Sequence, residues 1–349
     1  MPPQPHLQQI IEARSTLTRE QARDLMRQIL DGKLTDLEIA ALLGALAARG
    51  ETASEIAGFV DAMRTAVTSI PLTDPERRNL VDTCGTGGDA SGTFNISTAA
   101  ALVAAATGTN PGANLMVAKH GNRAVTSQTG SADVLEALGI PVDLSPDDAA
   151  TNLRSHRFAF LHAPSLHPAM KAVMPVRRAL GVRTVFNILG PLTNPAGASA
   201  QVMGVYSAHM VPIVAEAMAL LGTRHAFVVH GSTSYEKGLD EISISGPSQL
   251  AEVCAGTVTI TTITPEDFGL KRSPTDSLRG GDAKANAAIL TAIFSGEQGP
   301  RRDIVLLNAA AVLVAADLAL DLPNGIALAA KTIDSGAVIK LIANLSTKS

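Results

Sequence analysis

The stretch from Leu80 to Ala106 constrains the fold most. Leu80–Val81 open a β-like run, Asp82–Asp89 reads DTCGTGGD, Thr93–Thr98 reads TFNIST, and Thr98–Ala106 is an apolar helical pattern. A strand, a Gly-rich turn and an apolar helix, in that order, belong to an α/β architecture. Glycines let a backbone approach a ligand closely. Exposed N–H groups at the following helix start attract an anion. Thr93, Asn95, Ser97 and Thr98 add hydroxyl and amide groups. The run reads as a phosphate cradle, and by itself it is equally an ordinary Gly-rich turn. It lacks the Gly-Lys-Ser/Thr of a Walker A loop and the glycine spacing of a dinucleotide fingerprint.

The same texture continues downstream. Leu115–Ala118, Phe158–His162, Val202–Tyr206 and Ala226–His230 read as strands, and 133–138, 211–221 and 283–294 read as helices. This alternation predicts a mainly parallel sheet. Upstream, the pairs Thr18/Gln21, Thr35/Glu38 and Thr52/Glu55 each spell a capping box, the signature of a helix start. An amphipathic pattern follows each. The expected organisation is a small N-terminal helical domain over 1–75 and an α/β domain over 76–349. Pro71 and Pro75 bracket a linker, and a helical piece between Pro168 and Gly181, within a segment near 168–190, rejoins the helical unit.

Three further clusters carry chemistry. Lys119-His120-Gly121-Asn122-Arg123 follows a strand, where ligands of open α/β sheets bind. Ser127, Thr129, Gly130 and Ser131 come next and could reach phosphate oxygens. Asp240-Glu241 is an acidic pair. Such pairs are usually solvated turns, but beside two anion-binding loops they suit Mg²⁺, which bridges carboxylates and substrate phosphates. Arg177-Arg178 could hold a carboxylate bidentately, or be a surface basic pair. No nucleophile–base set or GxSxG elbow appears, so no catalytic acid, base or nucleophile is assigned. The pattern predicts transfer chemistry driven by positioning and charge stabilisation.

Composition removes other classes. With 28 Lys+Arg against 32 Asp+Glu and a net charge of −4, a nucleic-acid binder is disfavoured. Cys84 and Cys254 are too few for a disulfide scaffold, which points to a reducing compartment. MPPQPHLQQ has no apolar signal core, and Ile304–Leu320, interrupted by Asn308 and Asp317, reads as a buried Ala-rich helix rather than a membrane span. A cytoplasmic protein is expected.

The segments DTCGTGGD, TFNIST, KHGNRAV, TGSADVLEALG, HPAMKAVMPVRRALGVRTVFNILGPLTNPA, GLDEIS and GGDAKANAAI, in order, resemble the anthranilate phosphoribosyltransferase family. The resemblance implies the fold of nucleoside phosphorylases and their phosphoribosyltransferase relatives. The resemblance implies that the amine of anthranilate attacks C1 of phosphoribosyl pyrophosphate and that pyrophosphate leaves with Mg²⁺ assistance, in tryptophan biosynthesis. It implies that Gly85, Gly88, Asp89, Thr93, Asn95, Ile96, Ser97, Thr98, Lys119, Gly121 and Ser131 line the phosphoribosyl pyrophosphate site. It places His120, Asn122 and Arg177 around anthranilate, with Arg177 on its carboxylate. Ser97, Asp240 and Glu241 would bind metal, two Mg²⁺ per monomer, in a homodimer formed through the helical domain. The loops at 107–116 and 232–237 are longer than the family pattern, and Leu166 stands where a second histidine often precedes His167. A pyrimidine-nucleoside phosphorylase and a nucleic-acid-binding relative of the same fold are the competing readings.

Overall fold

Hydroxyl caps start the first helices, as the capping boxes predict. Thr18, Thr35 and Thr52 accept from the third helical N–H, and Gln21, Glu38 and Glu55 return the bond. The resulting helices are α1 (Arg19–Leu30), α2 (Asp36–Arg49) and α3 (Ala53–Ala66). These features come from a computed structural model that describes residues 5–124, 128–235 and 238–346. Between Pro71 and Pro75 the chain runs without regular structure to Thr73 and then starts a one-turn helix, Asp74–Arg78, where Thr73 and Glu76 make a fourth capping box.

The α/β part follows as β1 (Leu80–Gly85), α4 (Ile96–Thr107), β2 (Met116–Gly121), α5 (Ser131–Ala137), α6 (Pro146–His156) and β3 (Phe158–His162). After it come α7 (Met174–Leu180), α8 (Phe186–Leu192), β4 (Ala200–Gly204), α9 (Met210–Leu220) and β5 (His225–Ser232). Three further strands, β6 (Gly238–Leu239), β7 (Ser248–Cys254) and β8 (Thr257–Ile263), precede α10 (Ala283–Phe294), α11 (Pro300–Ala315), α12 (Leu322–Asp334) and α13 (Ala337–Ser346). The sheet order is β3-β2-β1-β4-β5-β7-β8, with β6 paired to β5. β1 to β5 run parallel, and β6, β7 and β8 pair antiparallel.

The strands divide their residues between two faces, as the period of two requires. Val202, Phe158, Phe160, Phe227 and Val229 pack with the Ala-rich α4 and with α11. Met203, Ala226 and Val228 face the other way, into a core shared with Leu25, Leu42 and Val60 of the N-terminal helices. Val173, Val176, Phe186 and Leu189 join that second core, so the 173–192 segment packs with the helical unit. Residues 304–315 are buried throughout, in α11. Among the described residues no helix is long and apolar enough to cross a membrane.

The lengthened segment at 107–116 lies at the C-terminal end of α4 and the start of β2, at the end of the sheet away from the glycine loop. In the other long loop, Ser234 bonds Thr275 and the Tyr235 hydroxyl donates to Asp276 at 2.6 Å. Residues 236 and 237 of that loop lie outside the described residues.

Candidate active site

The chain leaves β1 for β2 on one side and returns to β4 on the other, which opens a crevice at the strands' carboxyl ends. Gly85 ends β1, Gly204 ends β4, and the two are partners in register. A Cβ on Gly85 would overlap the Asp240 carboxylate, and one on Gly204 would overlap the Asp240 carbonyl. Asp240 therefore settles over the switch point because both neighbours lack side chains. Asn308 of α11 anchors this acidic segment: it accepts from the Ile242 N–H and donates to the Ile242 carbonyl, each at 2.9 Å.

The two carboxylates point into the glycine loop. Asp240 Oδ2 accepts from the Gly87 N–H at 2.7 Å, and Glu241 Oε1 accepts from the Ser97 N–H at 2.9 Å. Asp89 Oδ2 in turn accepts from the Asp240 N–H at 3.4 Å. Burial pushes Glu241 up to about 7. Burial and the neighbouring Asp89 and Glu241 carboxylates push Asp240 well above the usual carboxylate range.

Lys119, 1% exposed, lies beneath. Its Nζ donates to the Thr83 carbonyl at 2.6 Å and to Ser97 Oγ at 3.4 Å. Burial pulls its pKa down, and the charge of Asp82 opposes the fall. Asp82 is itself buried, is pushed up to about 6 and accepts from the His120 N–H at 3.1 Å. The cation is thus fixed in the floor of the crevice, beside the start of α4.

Among the described residues no group of three His, Cys, Asp or Glu side chains could hold a metal ion. The site instead gathers two elevated carboxylates and the Ser97 hydroxyl. That donor set fits Mg²⁺, which keeps waters and takes few protein carboxylates together with substrate phosphates.

The glycine loop is held from its far side. The Phe94 N–H donates to Leu278, the Gly280 N–H donates to Gly92, and Thr93 bridges Arg279. Ser91 and Thr93 hydroxyls lie 3.2 Å apart. The Thr98 hydroxyl is buried with no hydrogen-bond partner, an opening for a polar ligand. Ile96 differs from the rest of the cradle: its side chain is in the core and its N–H donates to Phe94, which makes it a packing residue.

A second half-site borders this one. His120 and His167 oppose their Nε2 atoms at 3.2 Å, so one donates while the other accepts. Burial holds their pKa values down at about 3 and about 4, so both rings are neutral at pH 7. His120 also bonds the Gly190 backbone of α8. One turn earlier on that helix, Phe186 lies 5.4 Å beneath the Arg177 guanidinium. Burial lowers the Arg177 pKa. A Cβ on Gly121 would overlap the Ser131 hydroxyl and the Phe160 ring, and Ser131 Oγ donates to the Asn122 carbonyl at 3.2 Å. Asn122 itself is exposed beside this turn. Arg123 does not add charge to the crevice, because Glu136 at 2.5 Å and Asp133 at 3.3 Å hold it. Ser127 lies outside the described residues.

Four contributors escape a motif reading. Arg183 donates to the Gly88 carbonyl and lies 4.5 Å over the Tyr206 ring, joining the α7–α8 segment to the glycine loop. Gly204, Asn286 and Asn308 are the others. Asn286 and Arg183 fall inside GGDAKANAAI and GVRTVFN, where position along the chain gives no hint of their partners. Asn308 reads in sequence only as an interruption of an apolar run.

Two family models cover the chain: the glycosyl transferase family helical bundle domain over residues 4–67 and its a/b domain over residues 77–339. The anthranilate phosphoribosyltransferase of Brevibacillus brevis is 52% identical over 324 residues, 93% of this chain and 91% of that protein. The crystal structure of the Thermus thermophilus anthranilate phosphoribosyltransferase superposes with a TM-score of 0.88 at 42% identity, covering 97% of this chain and 98% of that one. The Saccharomyces cerevisiae enzyme in complex with phosphoribosyl pyrophosphate and Mg superposes with a TM-score of 0.85 at 27% identity, covering 97% and 95%. The same yeast enzyme in complex with 4-fluoroanthranilate gives 0.82 at 26% identity, covering 97% and 95%.

Proposed function

This chain belongs to the anthranilate phosphoribosyltransferase family, which moves the phosphoribosyl group of phosphoribosyl pyrophosphate onto the amine of anthranilate, and we propose how its residues divide that work. The reaction serves tryptophan biosynthesis. The C1–N bond forms, the C1–O bond to pyrophosphate breaks, and the amine gives up one proton to the departing pyrophosphate or to solvent.

The observation that carries the assignment of roles is the pair Asp240 and Glu241, folded onto amides of an anion-binding loop. Asp240, Glu241 and the Ser97 hydroxyl would hold Mg²⁺, proposed as two ions per subunit. Bound Mg²⁺ neutralises charge on the departing pyrophosphate. Carboxylates engaged with the cation would leave the Gly87 and Ser97 N–H groups, which now donate to them, for phosphate oxygens. Gly85, Gly88, Asp89, Thr93, Asn95, Thr98, Lys119, Gly121 and Ser131 complete the phosphoribosyl pyrophosphate cradle. Lys119 adds a positive charge whose place is set by burial.

Anthranilate occupies the second half-site. Arg177, braced on Phe186, takes its carboxylate, and Asn122 and His120 flank the ring. An aryl amine is neutral at pH 7 and needs no strong base. The neutral His120–His167 pair suits it, since neither ring adds a charge that would repel a cationic, sugar-like transition state. Like its family, the enzyme is proposed to act as a homodimer formed through the helical domain.

The test is loss of anthranilate fluorescence on mixing the protein with phosphoribosyl pyrophosphate and Mg²⁺. The expected result is loss that requires both the sugar donor and the metal, and that EDTA abolishes. Folded protein that leaves anthranilate unchanged, or that cleaves nucleosides with phosphate, would overturn the assignment.

A further inference from the structure

Asn95 occupies the N-cap of α4, where an asparagine side chain ordinarily bonds a first-turn amide. It makes no such bond. Its amide is committed to a closed ring. Asn95 Nδ2 donates to the Thr129 carbonyl at 3.3 Å, and the Thr129 hydroxyl donates to the Gly281 carbonyl at 2.7 Å. The Gly281 N–H donates to Asn286 Oδ1 at 2.7 Å, and Asn286 Nδ2 donates back to Asn95 Oδ1 at 2.8 Å. The ring ties three distant segments together: the glycine loop, the loop after β2 and the turn before α10.

We propose that Asn286 is a positioning residue for phosphoribosyl pyrophosphate, acting through Asn95. The inference rests on the reading that Asn95 touches that substrate. An asparagine amide exchanges donor and acceptor when it turns over. Turning Asn95 would set its NH₂ against the Asn286 NH₂ and its oxygen against the Thr129 carbonyl. Asn286 therefore fixes which end of Asn95 points which way. One Asn95 N–H and one lone pair remain outside the ring, in a known orientation, to meet the ligand. Asn286 is 2% exposed, so water does not compete for these bonds. Gly280 completes the arrangement, since a Cβ there would stand 2.8 Å from the Phe94 backbone and 2.9 Å from Asn286 Oδ1.

Asn286→Asp is the informative change. It keeps the shape and the acceptor for the Gly281 N–H, but turns an acceptor toward Asn95 Oδ1. Phosphoribosyl pyrophosphate binding with Mg²⁺ is measured by calorimetry, and both KM values by steady-state kinetics. The expected result is a Kd and KM for phosphoribosyl pyrophosphate raised about tenfold, as for one misdirected hydrogen bond to a charged ligand. The KM for anthranilate should stay within about twofold, on the scale of a site left intact. Thr129→Val opens the ring at the opposite point and should give the same selective loss. The double variant should fall short of the product of the two, because both break one network. Unchanged phosphoribosyl pyrophosphate binding in a folded N286D or T129V protein overturns the proposal. So do two KM values that rise together with a lowered melting temperature, the mark of a merely structural role. Should N286D not fold, T129V carries the same test. Asn95→Ala separates the two levels: normal binding there would overturn the role of Asn95 itself, whereas weakened binding there with normal N286D binding would overturn the role of Asn286 alone.

Discussion

Gly204 lies directly beneath the main chain of Asp240, so closely that a Cβ would overlap the Asp240 carbonyl. The clash would be with backbone, which no rotamer change relieves. Gly204→Ala should therefore lift the acidic segment off the switch point. Overpacking of this kind costs about 1–3 kcal/mol, to be read from the denaturant midpoint. Turnover should fall by more than the stability loss accounts for, and the Mg²⁺ concentration needed for half-maximal rate should rise. A folded variant with wild-type Mg²⁺ dependence would remove Gly204 from the metal geometry.

Glu241 gives a prediction with a sign. Its folded pKa, about 7, lies above the ordinary 4.5. The unfolded chain thus releases this proton first, and the contribution to stability declines as pH climbs from about 4.5 through about 7. Glu241→Gln removes that decline. The variant should match or exceed the metal-free wild type in melting temperature at pH 8, while losing most of its activity. Added Mg²⁺ with phosphoribosyl pyrophosphate should stabilise the wild type more than the variant. Complex formation should also release protons near pH 6.5, detectable by calorimetry in buffers of different ionisation enthalpy.

The histidine pair should be silent near neutrality. With folded values of about 3 and about 4, both imidazoles lose their protons well below pH 5. Their NMR resonances should not titrate between pH 5.5 and 8, and no step in kcat/KM over that range should vanish on His167→Gln. His167→Phe leaves His120 Nε2 buried without its partner, a loss of roughly 1–3 kcal/mol. A His120 resonance that titrates near 6.5 would contradict the neutral pocket.

Arg177 and Arg183 should separate by substrate. Arg177→Ala removes the proposed carboxylate partner of anthranilate and should raise its KM by about tenfold or more, the scale of a charge-assisted hydrogen bond. The KM for phosphoribosyl pyrophosphate should barely move. Arg183→Ala releases the Gly88 carbonyl and the Tyr206 ring, and the reverse split is expected. Equal effects of both variants on both substrates would mean that neither arginine is specific.

What the sequence showed was whatever depends on neighbours along the chain. Capping boxes at Thr18, Thr35 and Thr52 located three helices because the bonds span three residues. Glycines followed by a polar-then-apolar run located the turn between β1 and α4 for the same reason. Residues 248–263 were not read as strands, although Thr257–Ile263 is rich in β-branched residues. As an antiparallel edge hairpin it falls outside the strand–helix alternation on which the reading relied. The one-turn helix at Asp74–Arg78 was not read, because two prolines outweighed the Thr73/Glu76 capping pair. Asn286, Arg183 and Asn308 were invisible as site residues because each acts on a partner dozens to nearly two hundred positions away. Gly204 was read as a strand residue, and its purpose becomes plain only once Asp240 is seen above it.

The pairing of Leu278–Gly280 with the loop at 92–94, and the Asn308 clamp on Ile242, also set an order for synthesis. A nascent chain that has emerged only as far as residue 275 already has β1 to β8, yet its glycine loop lacks the backbone partners that close it. Those contacts are of high sequence separation, the kind that form late and slowly. Until α11, α12 and α13 arrive, the face of α4 that they cover is open and apolar. This is the interval in which such a chain is most prone to aggregate.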